Sequence, residues 1–201
     1  MGNEKSVYIV RHGQTDWNLE GKWQGFHGPG LNENGKMQAS RAAKFLADAD
    51  INAIYSSDIQ RAMETADIIS RRIGTKEIYT REGLRERDLG PASGPFVGRT
   101  NSEILEKYPE VRLSNGVLGP NNFPQVENWN SYVERCWKCF NEIFMEVEGN
   151  AAVVTHGGVI LVIASRISND WKTGIIPNCG IAKVTANDGE FSFSLLDYTG
   201  T

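Results

Sequence analysis

Ser6-Val7-Tyr8-Ile9-Val10-Arg11-His12-Gly13 is a short apolar, β-branched run that ends abruptly on a cation, an imidazole and a glycine. Such a run reads as a buried strand opening into a loop. The same design recurs at Ala151 to Thr155, which ends at His156-Gly157-Gly158, and at Ile51 to Tyr55, which runs into Ser56-Ser57-Asp58. Helical patterns separate these strands. Asn32 to Asp48 carries Ala39, Ala42, Ala43 and Leu46 on one face. The next helix has a stripe of Ile59, Ala62, Met63, Ala66, Ile69 and Ile73, with N-caps offered by Ser56-Ser57-Asp58 and a stop at Gly74. Trp129 to Val147 turns Tyr132, Val133, Cys136, Phe140, Ile143, Phe144 and Val147 inward, and Val159 to Ile167 forms another helix. Ile78 to Thr80 is a third strand, Thr100 to Tyr108 a short helix stopped by Pro109, and two strands near 180–186 and 191–197 close the chain. Residues 113–126, rich in Gly, Asn and Pro, read as irregular surface. Strands alternating with helices argue for an α/β sandwich with a largely parallel sheet. In such sheets ligands bind beyond the carboxyl ends of the strands. That rule brings Arg11-His12, Ser56 to Arg61 and His156 towards one rim.

The chain has 201 residues, enough for a single domain spanning 1–201. Hydrophobic residues make up 40% and charged residues 23%, with a formal net charge of -4. Nothing in that balance favours nucleic acid or a membrane surface as partner. An acidic chain that handles anions must concentrate positive charge locally, which makes individual arginines informative. The three cysteines, Cys136, Cys139 and Cys179, make no secreted framework and favour a reducing, cytoplasmic setting. No apolar run approaches the roughly 18 residues of a spanning helix. Met1 to Ser6 lacks a signal-peptide core but matches the loose myristoylation pattern Met-Gly-x-x-x-Ser.

The rim gathers His12, His156, Arg11 and Arg61 from distant parts of the chain. Arginine forks match phosphate oxygens. Arg61 lies in the first turn of its helix, whose amides and dipole favour anions. Gly157 and Gly158 open another helix and let backbone approach a ligand closely. A histidine among such groups can serve as nucleophile, acid or phosphate ligand.

The ordered segments Val10-Arg11-His12-Gly13-Gln14-Thr15-Asp16-Trp17-Asn18, Trp23-Gln24-Gly25, Leu31-Asn32-Glu33-Asn34-Gly35, Tyr55-Ser56-Ser57-Asp58-Ile59-Gln60-Arg61-Ala62, Leu84-Arg85-Glu86 and Thr155-His156-Gly157-Gly158 resemble the histidine phosphatase superfamily, which includes the cofactor-dependent phosphoglycerate mutases. The resemblance covers about positions 7–160. It implies an α/β three-layer sandwich with a mostly parallel central sheet flanked by helices. It also implies metal-independent hydrolysis of a small-molecule phosphate ester, without cofactor, through phosphohistidine. His12 would be the nucleophile. Arg11, Arg61 and His156 would hold the transferring phosphoryl group, with further contacts from Asn18, Gln24 and the Gly157 amide. Glu86 would protonate the leaving alkoxide and then activate water, so it must carry its proton in the first step. His12 must be neutral to attack, with its other nitrogen held by nearby backbone.

A mutase of the same family is the alternative. It would return the phosphoryl group to a second position of a sugar-acid phosphate. Mutases carry a longer insertion with extra basic residues between the acid and the second histidine, and the stretch from Glu86 to His156 is short for that. The mutase tyrosine of this region would be Leu89. A non-catalytic phospho-ligand binder would be expected to have lost His12, Arg61, Glu86 or His156, and all four are present. Residues 88–128 are assigned to a cap that sets specificity, with Phe96, Arg99, Phe123 and Trp129 as candidates to line it. His27 is placed at the pocket rim. His12, His27 and His156 lack paired metal-ligand spacing, and no metal site is expected. Cys136-Trp137-Lys138-Cys139 falls inside a helical stripe and reads as packing rather than redox chemistry. Nothing in the sequence decides the oligomeric state, and a homodimer is compatible with it.

Overall fold

The computed structural model describes residues 5–75, 77–111, 123–168, 176–187 and 189–196. Six strands, β1 (Ser6–Arg11), β2 (Ile51–Ser56), β3 (Ile78–Thr80), β4 (Asn150–Thr155), β5 (Ile181–Asn187) and β6 (Glu190–Leu196), form one sheet in the order β3-β2-β4-β1-β5-β6. β1 to β4 run parallel, and β5 and β6 are antiparallel additions at one edge. The largely parallel sheet expected from the sequence is therefore present.

The central parallel strands β1 and β4 are buried on both faces, as crossover helices require, while β3 at the edge is half-exposed. Their period-2 alternation splits the core in two. Val7, Ile9, Ala151 and Val153 pack with α5 (Trp129–Glu146) and α6 (Gly157–Ile167). Val10, Ile54, Ala152 and Val154 pack with α2 (Glu33–Leu46) and α3 (Gln60–Ile73). The result is a helix–sheet–helix sandwich. The short α1 (Asp16–Leu19) and α4 (Asn101–Lys107) lie outside these layers. Leu89, Phe96, Val97, Ile104 and Val111 form a separate small cluster with Trp17 and Trp23.

The sheet order decides which strand ends meet. β4 lies between β1 and β2, with Arg11 opposite Thr155 and Ser56 opposite Val154. The next residues, His12, His156 and Ser57, therefore emerge side by side. The His12 amide donates to the Thr155 carbonyl at 2.8 Å and the Ser57 amide to the Val154 carbonyl at 2.9 Å, so the strand register extends into the loops.

Two helix starts differ from the sequence reading. Ser56, Ser57 and Asp58 do not cap α3; its N-cap is Ile59, without a side-chain cap. The three side chains are committed elsewhere: Ser56 Oγ to the Ser57 carbonyl, Ser57 Oγ to His156, and Asp58 to Arg85. α6 begins at Gly157, two residues early, with His156 as N-cap. Asn32 caps α2 by accepting from the Gly35 amide, Gly74 ends α3 in the left-handed region, and Thr100 caps α4. Residues 113–122 of the expected irregular segment and the Met1-Gly2 pattern lie outside the described residues.

Candidate active site

A pocket of about 440 Å³ opens where the ends of β1 and β4 meet the start of α3. Arg11, His12, Asn18, Gln24, Arg61 and Glu86 all line it, together with Gly157 and Gly158. His156 is fully buried behind the wall, with its ring edge-on to His12 and the centroids 5.2 Å apart.

His12 is only 3% exposed. Its Nδ1 lies 2.8 Å from the Gly13 carbonyl, an acceptor only, so Nδ1 carries the proton and Nε2 the lone pair. Burial, then the Arg61 and Arg11 charges, holds its pKa well below the ordinary 6.5, against a small opposing push from the Gly13 carbonyl. A neutral imidazole whose Nε2 carries the lone pair, here accepting from Arg61 Nε at 3.2 Å, can act as a nucleophile at neutral pH once that donor turns to a bound anion. Backbone control of the second nitrogen, expected from the sequence, is thus provided by Gly13.

Arg61 is 1% exposed, an unusual position for a cation. Its guanidinium is held by backbone oxygens rather than carboxylates. Nη2 donates to the Gly25 carbonyl at 2.7 Å, Nη1 to the His27 carbonyl at 2.8 Å, and Nε to His12 Nε2 at 3.2 Å. Burial lowers its pKa to about 10, so it remains a cation at neutral pH. Carbonyl dipoles satisfy the donors without neutralising the charge, which leaves a positive site for an anion. His27, expected at the rim, is not part of the pocket wall; its carbonyl orients Arg61 and its ring lies against the Gly90 carbonyl at 3.2 Å.

Two buried nitrogens have no hydrogen-bond partner among the described residues: Arg11 Nε and His156 Nδ1. Arg11 is anchored by Nη1 on the Ile176 carbonyl. His156 Nε2 lies 2.9 Å from Ser57 Oγ, which already accepts from the Ile59 amide. With the Ser57 hydroxyl donating to Nε2, His156 Nδ1 carries the ring proton and can donate it to a bound anion. Burial, then Arg61, keeps this ring neutral as well.

The amides of Asn18 and Gln24 are aimed by their neighbours. Asn18 Oδ1 lies near the Thr15 amide, Thr15 Oγ1 and Asn178 Nδ2 at 3.2, 3.2 and 3.1 Å. An oxygen surrounded by donors leaves the Nδ2 group as Asn18's donor to the pocket. Gln24 Oε1 is likewise turned to Thr15 Oγ1 at 3.2 Å. Asn178 also donates to the His12 carbonyl at 3.1 Å.

Glu86 accepts from the Tyr132 hydroxyl at 2.7 Å and the Arg87 amide at 2.9 Å on Oε1, and from the Gly158 amide at 3.1 Å on Oε2. This approach needs a glycine: a Cβ on Gly158 would stand 2.4 Å from Oε1 and 2.6 Å from the Tyr132 hydroxyl.

A model of the histidine phosphatase superfamily (branch 1) matches residues 7–199. The chain belongs to this superfamily. It is similar to "Phosphoglycerate mutase-like protein 4" of Arabidopsis thaliana, 35% identical over 165 residues that cover 80% of this chain and 70% of that protein. It is also similar to "Metal-independent phosphoserine phosphatase" of the same plant, 31% identical over 188 residues covering 90% of this chain and 76% of that one. Among solved structures, Bacillus stearothermophilus YhfR superposes with a TM-score of 0.82 at 26% identity, covering 96% of this chain and 98% of that one. The relatives support phosphatase chemistry at that general level for this histidine phosphatase.

The outer wall of this histidine phosphatase's pocket departs from the sequence reading. Phe96, Arg99, Phe123 and Trp129 do not line it; Phe96 is fully buried in the cluster of Leu89 and Ile104, and Trp129 stands outside with the Arg87 guanidinium 5.5 Å from its ring. Lys22, Trp23, Arg87, Leu89, Leu161 and Ile176 line it instead. Composition marked 88–128 as the cap, but which of its aromatics turn inward to their own cluster depends on packing. Cys136 and Cys139 are buried in α5 with pKa values raised by burial to about 12 and about 11, as protonated packing groups. Among the described residues no helix is long and apolar enough to cross a membrane, and no group of three or more His, Cys, Asp or Glu could hold a metal ion.

Proposed function

We propose that this histidine phosphatase is a metal-independent phosphomonoesterase acting on a small phosphorylated metabolite, with His12 as nucleophile. One observation carries the reading: a neutral His12, protonated at Nδ1 by its bond to Gly13, presents its Nε2 lone pair beside the buried Arg61 cation.

In the first step the Nε2 lone pair forms the N–P bond while the ester P–O bond breaks. Arg11, Arg61, the His156 Nδ1–H, Asn18, Gln24 and the Gly157 amide take the phosphoryl oxygens, whose charge grows during transfer. Glu86 gives its proton to the departing alkoxide; positioned proton transfer of this kind is worth about 100- to 10,000-fold. In the second step a water attacks phosphorus, its proton passes to Glu86, the N–P bond breaks, and neutral His12 returns. Residues 88–128 serve as the cap that selects the leaving group. Hydrolysis is favoured over mutase chemistry because Leu89 occupies the pocket wall at the position of the mutase tyrosine.

The test is turnover of para-nitrophenyl phosphate in excess chelator, with trapping of acid-labile phosphoenzyme. Chelator-resistant turnover and a label at His12, both absent from His12→Ala, are expected. Activity that chelator abolishes, or that His12→Ala retains, would overturn the mechanism.

A further inference from the structure

Glu86 sits in an irregular segment between the short 3-10 turn Glu82–Leu84 and the cap, yet every carbonyl from residue 82 to 86 is engaged. Most of that engagement comes from one side chain. Arg135 Nη1 donates to the Gly83 and Arg85 carbonyls at 3.0 Å each and to the Glu82 carbonyl at 3.3 Å, and Nη2 reaches the Glu86 carbonyl at 3.3 Å. Thr155 Oγ1 holds the Leu84 carbonyl at 2.7 Å.

The other edge of Arg135 is locked as well. Nε and Nη2 form a fork with both oxygens of Glu127, each at 2.8 Å. Glu127 ties down the far side of the acid. Its Oε2 accepts from the Asp88 amide at 3.1 Å, its amide donates to the Asp88 carbonyl at 2.9 Å, and its carbonyl accepts from Arg87 Nε and Nη2 at 2.9 and 2.8 Å. Salt bridges on surfaces hold little energy. This one connects the start of α5 to both flanks of one carboxylate.

One turn before Arg135 on α5, Tyr132 meets the carboxylate itself. Its ring is 1% exposed and would pack as well without the hydroxyl, but a buried hydroxyl needs a partner, and Glu86 Oε1 at 2.7 Å provides it. A carboxylate has about four lone-pair positions. Tyr132 and the Arg87 amide occupy Oε1, and the Gly158 amide takes one position on Oε2. Among the described residues, one position on Oε2 is left.

We infer that Tyr132 and Arg135 are positioning residues for the acid: Arg135 fixes the segment that carries Glu86, and Tyr132 blocks Oε1 so that the transferable proton resides on Oε2. Neither residue lines the pocket. The inference rests on the reading of Glu86 as the general acid. It accounts for a buried tyrosine hydroxyl and a guanidinium spent on loop carbonyls, neither of which the core of α5 requires.

The test compares two esters. An alkyl phosphate such as glycerol phosphate needs a proton on its leaving group; para-nitrophenyl phosphate does not, because its phenolate is stable. Tyr132→Phe removes only the hydroxyl, and Arg135→Lys keeps the charge while losing the fork. In both, kcat/KM for the alkyl ester, which reports transfer to His12 and not the hydrolysis step the two esters share, should fall by about 10-fold, with less than about a 2-fold change for the aryl ester. Glu86→Gln is the reference and should depress the alkyl ester far more than the aryl one. If Glu86→Gln shows that selectivity and folded Tyr132→Phe and Arg135→Lys do not, the positioning role is wrong and the general acid stands. If Glu86→Gln leaves the ratio unchanged, the assignment of the acid fails and this inference with it. Equal loss on both esters in the two positioning variants, with unaltered melting, would assign them to phosphoryl transfer at large and refute proton placement.

Discussion

Acidification below pH 6.5 should destabilise this protein through its two buried histidines, before its carboxylates contribute. His12 and His156 are 3% and 0% exposed, and both have pKa values held well below the ordinary 6.5, first by burial and then by Arg61. In the unfolded chain each titrates near 6.5. A folded pKa below the unfolded one means that the unfolded state binds more protons as pH falls. The stability these neutral rings contribute is therefore complete above pH 6.5 and is lost as pH drops through 6.5 towards the folded values. One proton of difference costs about 1.4 kcal/mol per pH unit, so two rings give a limiting slope of about 2.7 kcal/mol per unit. Between pH 7.5 and 5.5 the loss sums to about 2.7 kcal/mol, a substantial part of the roughly 5–15 kcal/mol of a typical domain. Urea unfolding followed by fluorescence at half-unit pH steps measures it, with the urea dependence checked for constancy. His156→Gln should halve the slope, because one ring remains. A flat profile from pH 7.5 to 5.5, or an undiminished slope in His156→Gln, would refute the claim that these rings are neutral in the folded state.

Two substitutions probe the site directly. Gly158→Ala places a methyl 2.4 Å from Glu86 Oε1, where ordinary contact begins at 3.4 Å, on a backbone that accepts alanine. The carboxylate must give way by about 1 Å, a misplacement worth on the order of 100-fold in rate, and the buried Tyr132 hydroxyl, 2.6 Å from the methyl, must move too; kcat for an alkyl phosphate should fall by that factor and the melting temperature should drop, and full activity would contradict the contact. Arg61→Lys keeps the charge but cannot reach the Gly25 carbonyl, the His27 carbonyl and His12 Nε2 together. Buried carbonyls left unpaired cost about 1–3 kcal/mol by urea unfolding. Losing the oriented donor should lower kcat about 100- to 1,000-fold, and a lysine variant with near-wild-type turnover would show that charge alone suffices.

The sequence by itself determined a good deal of this protein. Its buried β-branched runs, each ending on a histidine or on serine and aspartate, placed the strands and the rim. Its 3.6-residue stripes placed the helices, because burial of a side chain repeats with the local geometry that buries it. The ordered motifs around His12, Arg61, Glu86 and His156 identified the family, and the model match over residues 7–199 agrees. Local pattern stops where partners are chosen from afar. Ser57 read as a helix cap, but its hydroxyl serves His156, 99 positions away. Phe96 is on sequence only a candidate for the pocket lining, and the aromatic cluster with Phe123 and Tyr108 draws it inward. Tyr132 read correctly as an inward residue of α5, yet periodicity reports only that a side chain is buried. That its hydroxyl ends on Glu86, and that Arg135 grips the loop beneath it, depends on how α5 docks on the sheet. Tertiary packing alone set those contacts, since a hydrogen bond is fixed by a distance in space that sequence spacing does not encode.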